Sequence, residues 1–303
     1  MVEDIILQNI TTSDKIEMSM TATPDYVLEN VDWGVIESTH HSYKYINQNG
    51  VYVTGTALGT RTVTITGWVI ADNDTVMTDR KRKLNKFINP QQEIKLFYKS
   101  YTISFLPNTT IKYSTANADN NEVICKFKIE GLCAHPLFND IQTIVISASQ
   151  VEPTFHFPLE IEKWRGAVQT DKGVTFGVKQ KNRIFNIVNK GDVPTGMQIL
   201  FKANGVVTNP SITNIRTQSY FKLNKTMVNK EEITVNTVTG SKKITGKQDG
   251  EEVNYFKYRD LNSDWLQLEV GDNVLQFDAD ANVQNLDVYI YFNDSYLEVQ
   301  ECH

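Results

Sequence analysis

The chain has 303 residues, 40% of them hydrophobic and 22% charged, with a formal net charge of −6. This is the make-up of a soluble globular protein with room for two domains. Residues 1–150 carry 13 Lys and Arg against 16 Asp and Glu, and the remainder 17 against 20. Neither half has the basic excess that a phosphate backbone requires, which argues against dedicated nucleic-acid binding. Three cysteines, Cys125, Cys133 and Cys302, form no disulfide framework, so a reducing cytoplasm is the expected folding compartment. The opening Met1-Val-Glu-Asp-Ile-Ile has neither a basic n-region nor a long apolar stretch, so no secretory leader is expected. No run of ~18 apolar residues exists to insert into a membrane.

Along the chain the dominant period is two. Val63, Ile65 and Val69 alternate with Thr62, Thr64, Thr66 and Trp68, and Val123, Cys125, Phe127 and Ile129 alternate with Ile124, Lys126, Lys128 and Glu130. Leu286, Val288, Ile290 and Phe292 alternate with Asp287, Tyr289 and Tyr291. Such patterns predict strands with one buried face. Asn49-Gly50, Gly191-Asp192, Asn204-Gly205, Asp249-Gly250 and Gly271-Asp272-Asn273 punctuate them as turns. One helix is predicted, over about 75–88, with Asp74 or Thr75 as N-cap, Met77, Leu84, Phe87 and Ile88 on one face, and Asn89-Pro90 as its stop. Its basic run, Arg80 to Lys83 with Lys86, reads as a solvated face rather than a phosphate site. A first domain is expected over 1–135, a linker over 136–157 containing a short strand at Thr143–Ser147, and a second domain over 158–303.

Motifs for chemistry are absent or incomplete. The five histidines, His40, His41, His135, His156 and His303, accompany no nucleophile elbow. His40-His41 could donate to a metal but has no partner at ligand spacing, and Cys133-Ala-His135 supplies at most two zinc ligands. Gly240-Ser-Lys-Lys-Ile-Thr-Gly246-Lys247 has one residue too many between its glycines for a phosphate loop, and Gln248 stands where magnesium needs Ser or Thr. Asp278-Ala-Asp280-Ala-Asn282 starts like a calcium loop, but Val283 and Tyr289 replace the required Gly and Glu. Glu160 and Glu162 could form a glycosidase-like pair, and Trp33, Trp68, Trp164 and Trp265 could stack on sugars; a solvent-facing pair and core aromatics are the plainer readings. No catalytic, metal or cofactor residue is assigned, and no cofactor is expected.

The second half carries an ordered set of phrases: Asn189-Lys-Gly-Asp-Val-Pro-Thr-Gly196, Lys202-Ala-Asn-Gly-Val-Val-Thr-Asn-Pro210, Glu232-Ile-Thr-Val-Asn-Thr-Val-Thr-Gly240 and Asn262-Ser-Asp-Trp-Leu-Gln-Leu-Glu-Val-Gly-Asp-Asn-Val-Leu-Gln-Phe277. This series resembles the C-terminal domain of the phage distal tail protein family. Gly59-Thr-Arg61-Thr-Val-Thr-Ile-Thr-Gly67, the single basic helix, Ile94–Tyr98 and the exit Ala134-His-Pro-Leu-Phe138 resemble its N-terminal domain, while residues 11–60 carry no matching phrase. The resemblance implies a mainly β chain: an N-terminal β-sandwich with one α-helix, then a C-terminal galectin-like or jelly-roll β-sandwich. It implies a homo-hexamer ringing the tail channel at the virion tail tip, assembled in the bacterial host cytoplasm. The ring would contact the tail-tube protein, the tail-tip protein and the tape-measure protein, and present a platform for receptor-binding proteins. Edge strands or hairpins are the natural joints of such a ring. The alternatives are a carbohydrate-binding adhesin module using Trp164 or Trp265, a baseplate component of a contractile phage-like particle, and an unrecognised β-rich hydrolase.

Overall fold

The alternation at Thr62–Val69 is realised in a computed structural model that describes residues 4–20, 25–47, 49–116, 119–147, 183–248 and 251–299. The chain divides into two compact units, Met1–Gln142 together with Ser295–His303, and Thr143–Asp294. The first contains β1 (Asp4–Asn9), β2 (Lys15–Ser19), β3 (Tyr26–Asp32), β4 (Ser38–Tyr43), β5 (Tyr52–Leu58) and β6 (Arg61–Ile70). It continues through α1 (Asp74–Phe87), β7 (Ile94–Tyr98), β8 (Tyr101–Pro107), β9 (Lys112–Tyr113), β10 (Ile124–Cys133) and β11 (Phe138–Asp140). The second holds β12 (Ile144–Ser147), β13 (Ile184–Asn189), β14 (Thr195–Ala203), β15 (Val207–Asn214), β16 (Tyr220–Lys222) and β17 (Thr226–Met227). It ends with β18 (Glu232–Asn236), β19 (Lys243–Gln248), β20 (Glu251–Asn254), β21 (Gln267–Leu268), β22 (Gly271–Ala281) and β23 (Leu286–Phe292), after which β24 (Ser295–Tyr296) returns to the first unit.

The mainly β class with a single helix among the described residues is as the sequence implies. Within the first unit the layering differs from an open sandwich. The order β8-β7-β1-β2-β3-β6-β10 closes on itself, because β10 also pairs with β8. That closing seam is short, Gly131 opposite Pro107 and Leu132 opposite Leu106. Glycine at 131 permits it: a Cβ there would stand 2.1 Å from the Phe105 ring. Closure removes sheet edges that would otherwise expose unpaired backbone groups. Inside lie Leu7, Met18, Leu28, Ile65, Leu96, Phe105, Phe127 and Ile129, all buried.

The helix adds Met77, Leu84 and Phe87 to this core. Its N-cap is Asn73, one residue earlier than expected, because the Asn73 side chain accepts from the Val76 N–H at 3.0 Å. The basic run is only partly a solvated face. Arg80 pairs with Asp25 at 2.8 Å and donates to the Ile70 carbonyl, and Lys81 reaches Asn120 at 3.2 Å, while Arg82, Lys83 and Lys86 stay exposed.

Of the expected linker over 136–157, the described part, 136–147, carries two strands. β11 pairs with β8 in the first unit, and β12 pairs with β23 in the second. The chain's last described segment belongs to the first unit: β24 pairs with β11, and Val299 is buried in the same core. Arg61 fixes this return. Its side chain is 0% exposed, donates to the Leu297 carbonyl, approaches Glu298 at 3.4 Å and stacks 4.6 Å from the Phe138 ring centroid.

The second unit is built from two sheets. One runs β12-β23-β14-β18-β19-β20 with β21 beside β14, the other β13-β22-β15-β16 with β17 beside β15. Ile199, Phe201, Val288 and Ile290 from the first, and Ile212, Phe221, Leu275 and Phe277 from the second, form one buried cluster. Two sheets sharing one apolar interior is the sandwich arrangement that the family resemblance implies. Buried Asn189 and Asn273 secure the corners: Asn189 donates to the Leu268 carbonyl at 3.0 Å, and Asn273 to the Glu269 carbonyl at 2.7 Å.

Candidate functional site: an exposed hairpin of the first unit

β4 and β5 pair only with each other, as a two-stranded sheet outside the closed ladder. Asn49-Gly50 lies between two runs rich in Tyr, Val and Thr, a composition that drives hairpin formation. The turn uses left-handed backbone at Asn47 and Gly50, with φ of +63° and +85°. The base is fixed sterically. Gly34 takes φ +65° with the Thr62 carbonyl oxygen 2.2 Å from where a Cβ would sit, and the Gly59 N–H donates to the Glu37 carbonyl at 2.6 Å.

The hairpin places both of its faces in solvent. Every residue of β4 is exposed, and of β5 all but Gly55. The exposed side chains are apolar and aromatic towards the tip: Ile46 is 93% exposed, Tyr45 58% and Tyr52 62%, with Tyr43, Val51 and Val53 beside them. Tyr43 sits at the centre, its ring 4.9 Å from Tyr45 and 5.3 Å from Tyr52. The two hydroxyls of Tyr43 and Tyr45 are 2.8 Å apart, and this hydrogen bond raises the Tyr43 phenol above its ordinary pKa. An isolated two-stranded hairpin is marginally stable in water, and a contiguous apolar tip marks an interaction surface. Chemically the arrangement can bury aromatic surface and offer β-ladder edges; it holds no acid–base pair.

The residues weighed for chemistry are scattered. His40 lies on the hairpin, its ring nitrogens 3.1 Å from the Thr56 hydroxyl and 3.2 Å from that of Ser38, and His41 contributes its carbonyl to the Thr54 hydroxyl. Cys133 is buried beside Arg61 and its thiol is pushed up to about 12 by burial, whereas His135 is exposed, so the two share no site. Gly240 occupies a left-handed turn position ahead of strand β19. Asp280 accepts from Lys222 at 2.8 Å and Asn209 at 2.8 Å, which holds its carboxyl below the usual range, and Asp278 lies 3.5 Å from Arg183. No group of three or more His, Cys, Asp or Glu among the described residues could hold a metal ion. Trp33 packs on Tyr98 and Phe138, Trp68 carries Lys126 over its ring, and Trp265 contacts Phe221, Phe256 and Arg259. Glu160, Glu162, Trp164, His156, His303 and Cys302 lie outside the described residues. The hairpin lies within residues 11–60, which carry no phrase of the family resemblance; its Asn-Gly turn and flanking Tyr and Val are its signal in the sequence.

Comparison with known proteins bears on both units. Residues 25–127 match the family model of the phage tail protein RIFT-related domain, and residues 190–296 that of the siphovirus-type tail component, C-terminal domain. No curated protein sequence matches the chain. Among solved structures, it is similar to the SPP1 Dit protein, described as a paradigm of the hub adsorption apparatus in phages infecting Gram-positive bacteria. That likeness has a TM-score of 0.64 at 12% identity, over 96% of this chain and 98% of that one. Chains of the phage P2 baseplate in its activated conformation, with calcium and with strontium, are similar at TM-score 0.52 and at 11% and 12% identity. They match over 96% of this chain and 97% of theirs. At such identities the solved structures show a shared fold, while the two family models follow one another along the chain in the order of its two units. The chain belongs to the phage distal tail protein family and is a structural component of a phage tail.

Proposed function

We propose that six copies of this chain form a closed ring at the distal end of a phage tail, with the β4–β5 hairpin of each copy seated on its neighbour. The ring joins the tail-tube protein to the tail-tip protein around the tape-measure protein, and the second unit offers a platform for receptor-binding proteins. The observation that carries this reading is the hairpin with its aromatic, solvent-facing tip. A closed ring repeats one heterologous contact by rotation, so each subunit needs a donor surface and a different acceptor surface. A protruding hairpin is a suitable donor. Burying the exposed parts of Tyr45, Ile46 and Tyr52, at about 1.5–3 kcal/mol for a fully exposed side chain, gives a gross gain of about 3–6 kcal/mol per joint, before the cost of association.

The test is negative-stain microscopy with mass measurement of the full chain, alone and mixed with the tail-tube protein, for the native sequence and for Tyr45→Ser/Ile46→Asp. Six-fold rings for the native chain, lost in the double variant with an unchanged melting temperature, are the expected result. Rings that persist in the variant, or a native chain that stays monomeric under both conditions, would refute the proposal.

A further inference from the structure

The second unit is near-balanced in charge, with 17 Lys and Arg against 18 Asp and Glu over 143–294, yet its described residues include a concentration of positive charge. A cavity of about 530 Å³ opens between the loop after β17 and the segment from β20 through the turn Phe256–Tyr258. Lys225, Lys230, Lys247 and Lys257 line it, against a single lining carboxylate, Glu231. Glu231 is engaged internally. Its side chain is 8% exposed, lies 3.0 Å from the Lys225 ammonium, accepts from the Val228 N–H at 2.9 Å and is hydrogen-bonded by the Tyr255 hydroxyl. Lys225, itself 16% exposed, is thereby held over two rings, 5.2 Å from the centroids of both Tyr255 and Tyr258. Lys257 lies 5.0 Å from the Tyr258 centroid. Glu252 faces Lys247 across the β19–β20 ladder and also reaches Lys243 at 3.4 Å. Lys230 and Lys257 have no carboxylate partner among the described residues.

This lining selects a particular chemistry. The tyrosine faces already carry ammonium groups, so they offer no platform for stacking a neutral sugar. The cations are lysines, point charges on flexible stems suited to a phosphate, and no arginine fork is present to clamp a planar carboxylate. The volume falls in the range of small-molecule sites and exceeds what a bare ion needs. Asn229 and Asn254 line the same cavity; Asn254 accepts from the Phe256 N–H at 2.8 Å, which leaves its amide N–H2 to donate to a hydroxyl. We propose that this cavity binds a phosphate-bearing polyol or sugar. Lys230 and Lys257 hold the phosphate, Lys225 is the pre-positioned inner cation, and the asparagine amides meet the hydroxyls. The site lies wholly within the second unit and stands or falls independently of the ring.

The test is calorimetric titration of the full chain with glycerol 1-phosphate and with glucose 6-phosphate. Glycerol, glucose, inorganic phosphate and a single-stranded oligonucleotide serve as comparators. Binding of the two phosphorylated probes but not of glycerol or glucose is expected. Lys230→Asn/Lys257→Gln, both at exposed positions and with Asn suited to the left-handed backbone at 230 (φ +68°), should weaken it by at least roughly tenfold at an unchanged melting temperature. Lys83→Gln in the first unit should leave it unaltered. Equal affinity for inorganic phosphate, tighter binding of the oligonucleotide, no heat at millimolar probe, or indifference to the double substitution would each overturn the proposal.

Discussion

Replacing Arg61 by alanine and by methionine separates what this residue does by charge from what it does by packing. The alanine variant loses two stem methylenes, Cγ and Cδ, about 1.6 kcal/mol of burial at ~0.8 kcal/mol each. It also strips the donor from the Leu297 carbonyl, about 1–3 kcal/mol, and the cation over the Phe138 ring, about 1–2 kcal/mol. Against these stands the relief of a buried guanidinium whose Nε and Nη1 have no hydrogen-bond partner among the described residues, a gain of about 2–3 kcal/mol on the scale of ion desolvation. The balance is a loss of about 1.5–3.5 kcal/mol for Arg61→Ala and about 0–2 kcal/mol for Arg61→Met, which keeps the stem's volume. Urea unfolding followed by hydrogen exchange reads this region by region. Peptides from β6, β10 and β11 report the first unit, peptides from β14 and β23 the second, and residues 295–299 the return segment. The alanine variant should lose protection in the first unit and in 295–299, with the second unit unchanged. A methionine variant as destabilised as the alanine variant would refute the reasoning, since the guanidinium would then be a net stabiliser.

Gly131→Ala drives a methyl group into Phe105 at the seam that closes the first unit, and about 1–3 kcal/mol of destabilisation is expected, read as a lowered first-unit unfolding midpoint. A variant as stable as the native chain would show that the seam can open. Asp280, whose carboxyl is depressed chiefly by the Lys222 hydrogen bond, contributes stability that is present above its unfolded pKa of ~3.9 and is lost as pH falls through the lower folded value. Lys222→Met should therefore lower the second unit's urea midpoint at neutral pH and converge with the native chain in acid. A constant offset from neutral to acid pH would contradict the assignment.

What was legible in the sequence followed from local periodicity. Val63, Ile65 and Val69, and Phe127 with Ile129, point inward as their alternation requires, whereas Val123 precedes strand β10 and is exposed; the helix was fixed by its apolar face and by Pro90. Its start shifted by one residue because three neighbours, Asn73, Asp74 and Thr75, can all cap, and only the folded backbone selects Asn73. Closure of the first unit was not legible. It rests on two residue pairs between β8 and β10, and on Gly131 accommodating Phe105, contacts with no signature along the chain. The return of β24 was hidden for the same reason: two residues pairing with three give no pattern to recognise. The hairpin was visible as a turn between β-prone runs, but its solvent exposure was not, because β-propensity does not distinguish a strand that is covered from one that awaits a partner. The lysines of the cavity, spread from 225 to 257, vanished into a near-balanced charge count until folding brought them to one opening.

The return of Ser295–Tyr296 to β11 has a mechanical consequence. The second unit is spliced into the first rather than hung from its end, so two covalent connections leave and re-enter the same body. A pull on the inserted unit is shared between the strands at its entrance and exit. A single proteolytic nick in either connection leaves the unit tethered through the other. The same layout lets one inserted unit be exchanged for another while β1 and β24 keep their pairings in the host unit, so the inserted unit can vary without redesign of the body that carries it.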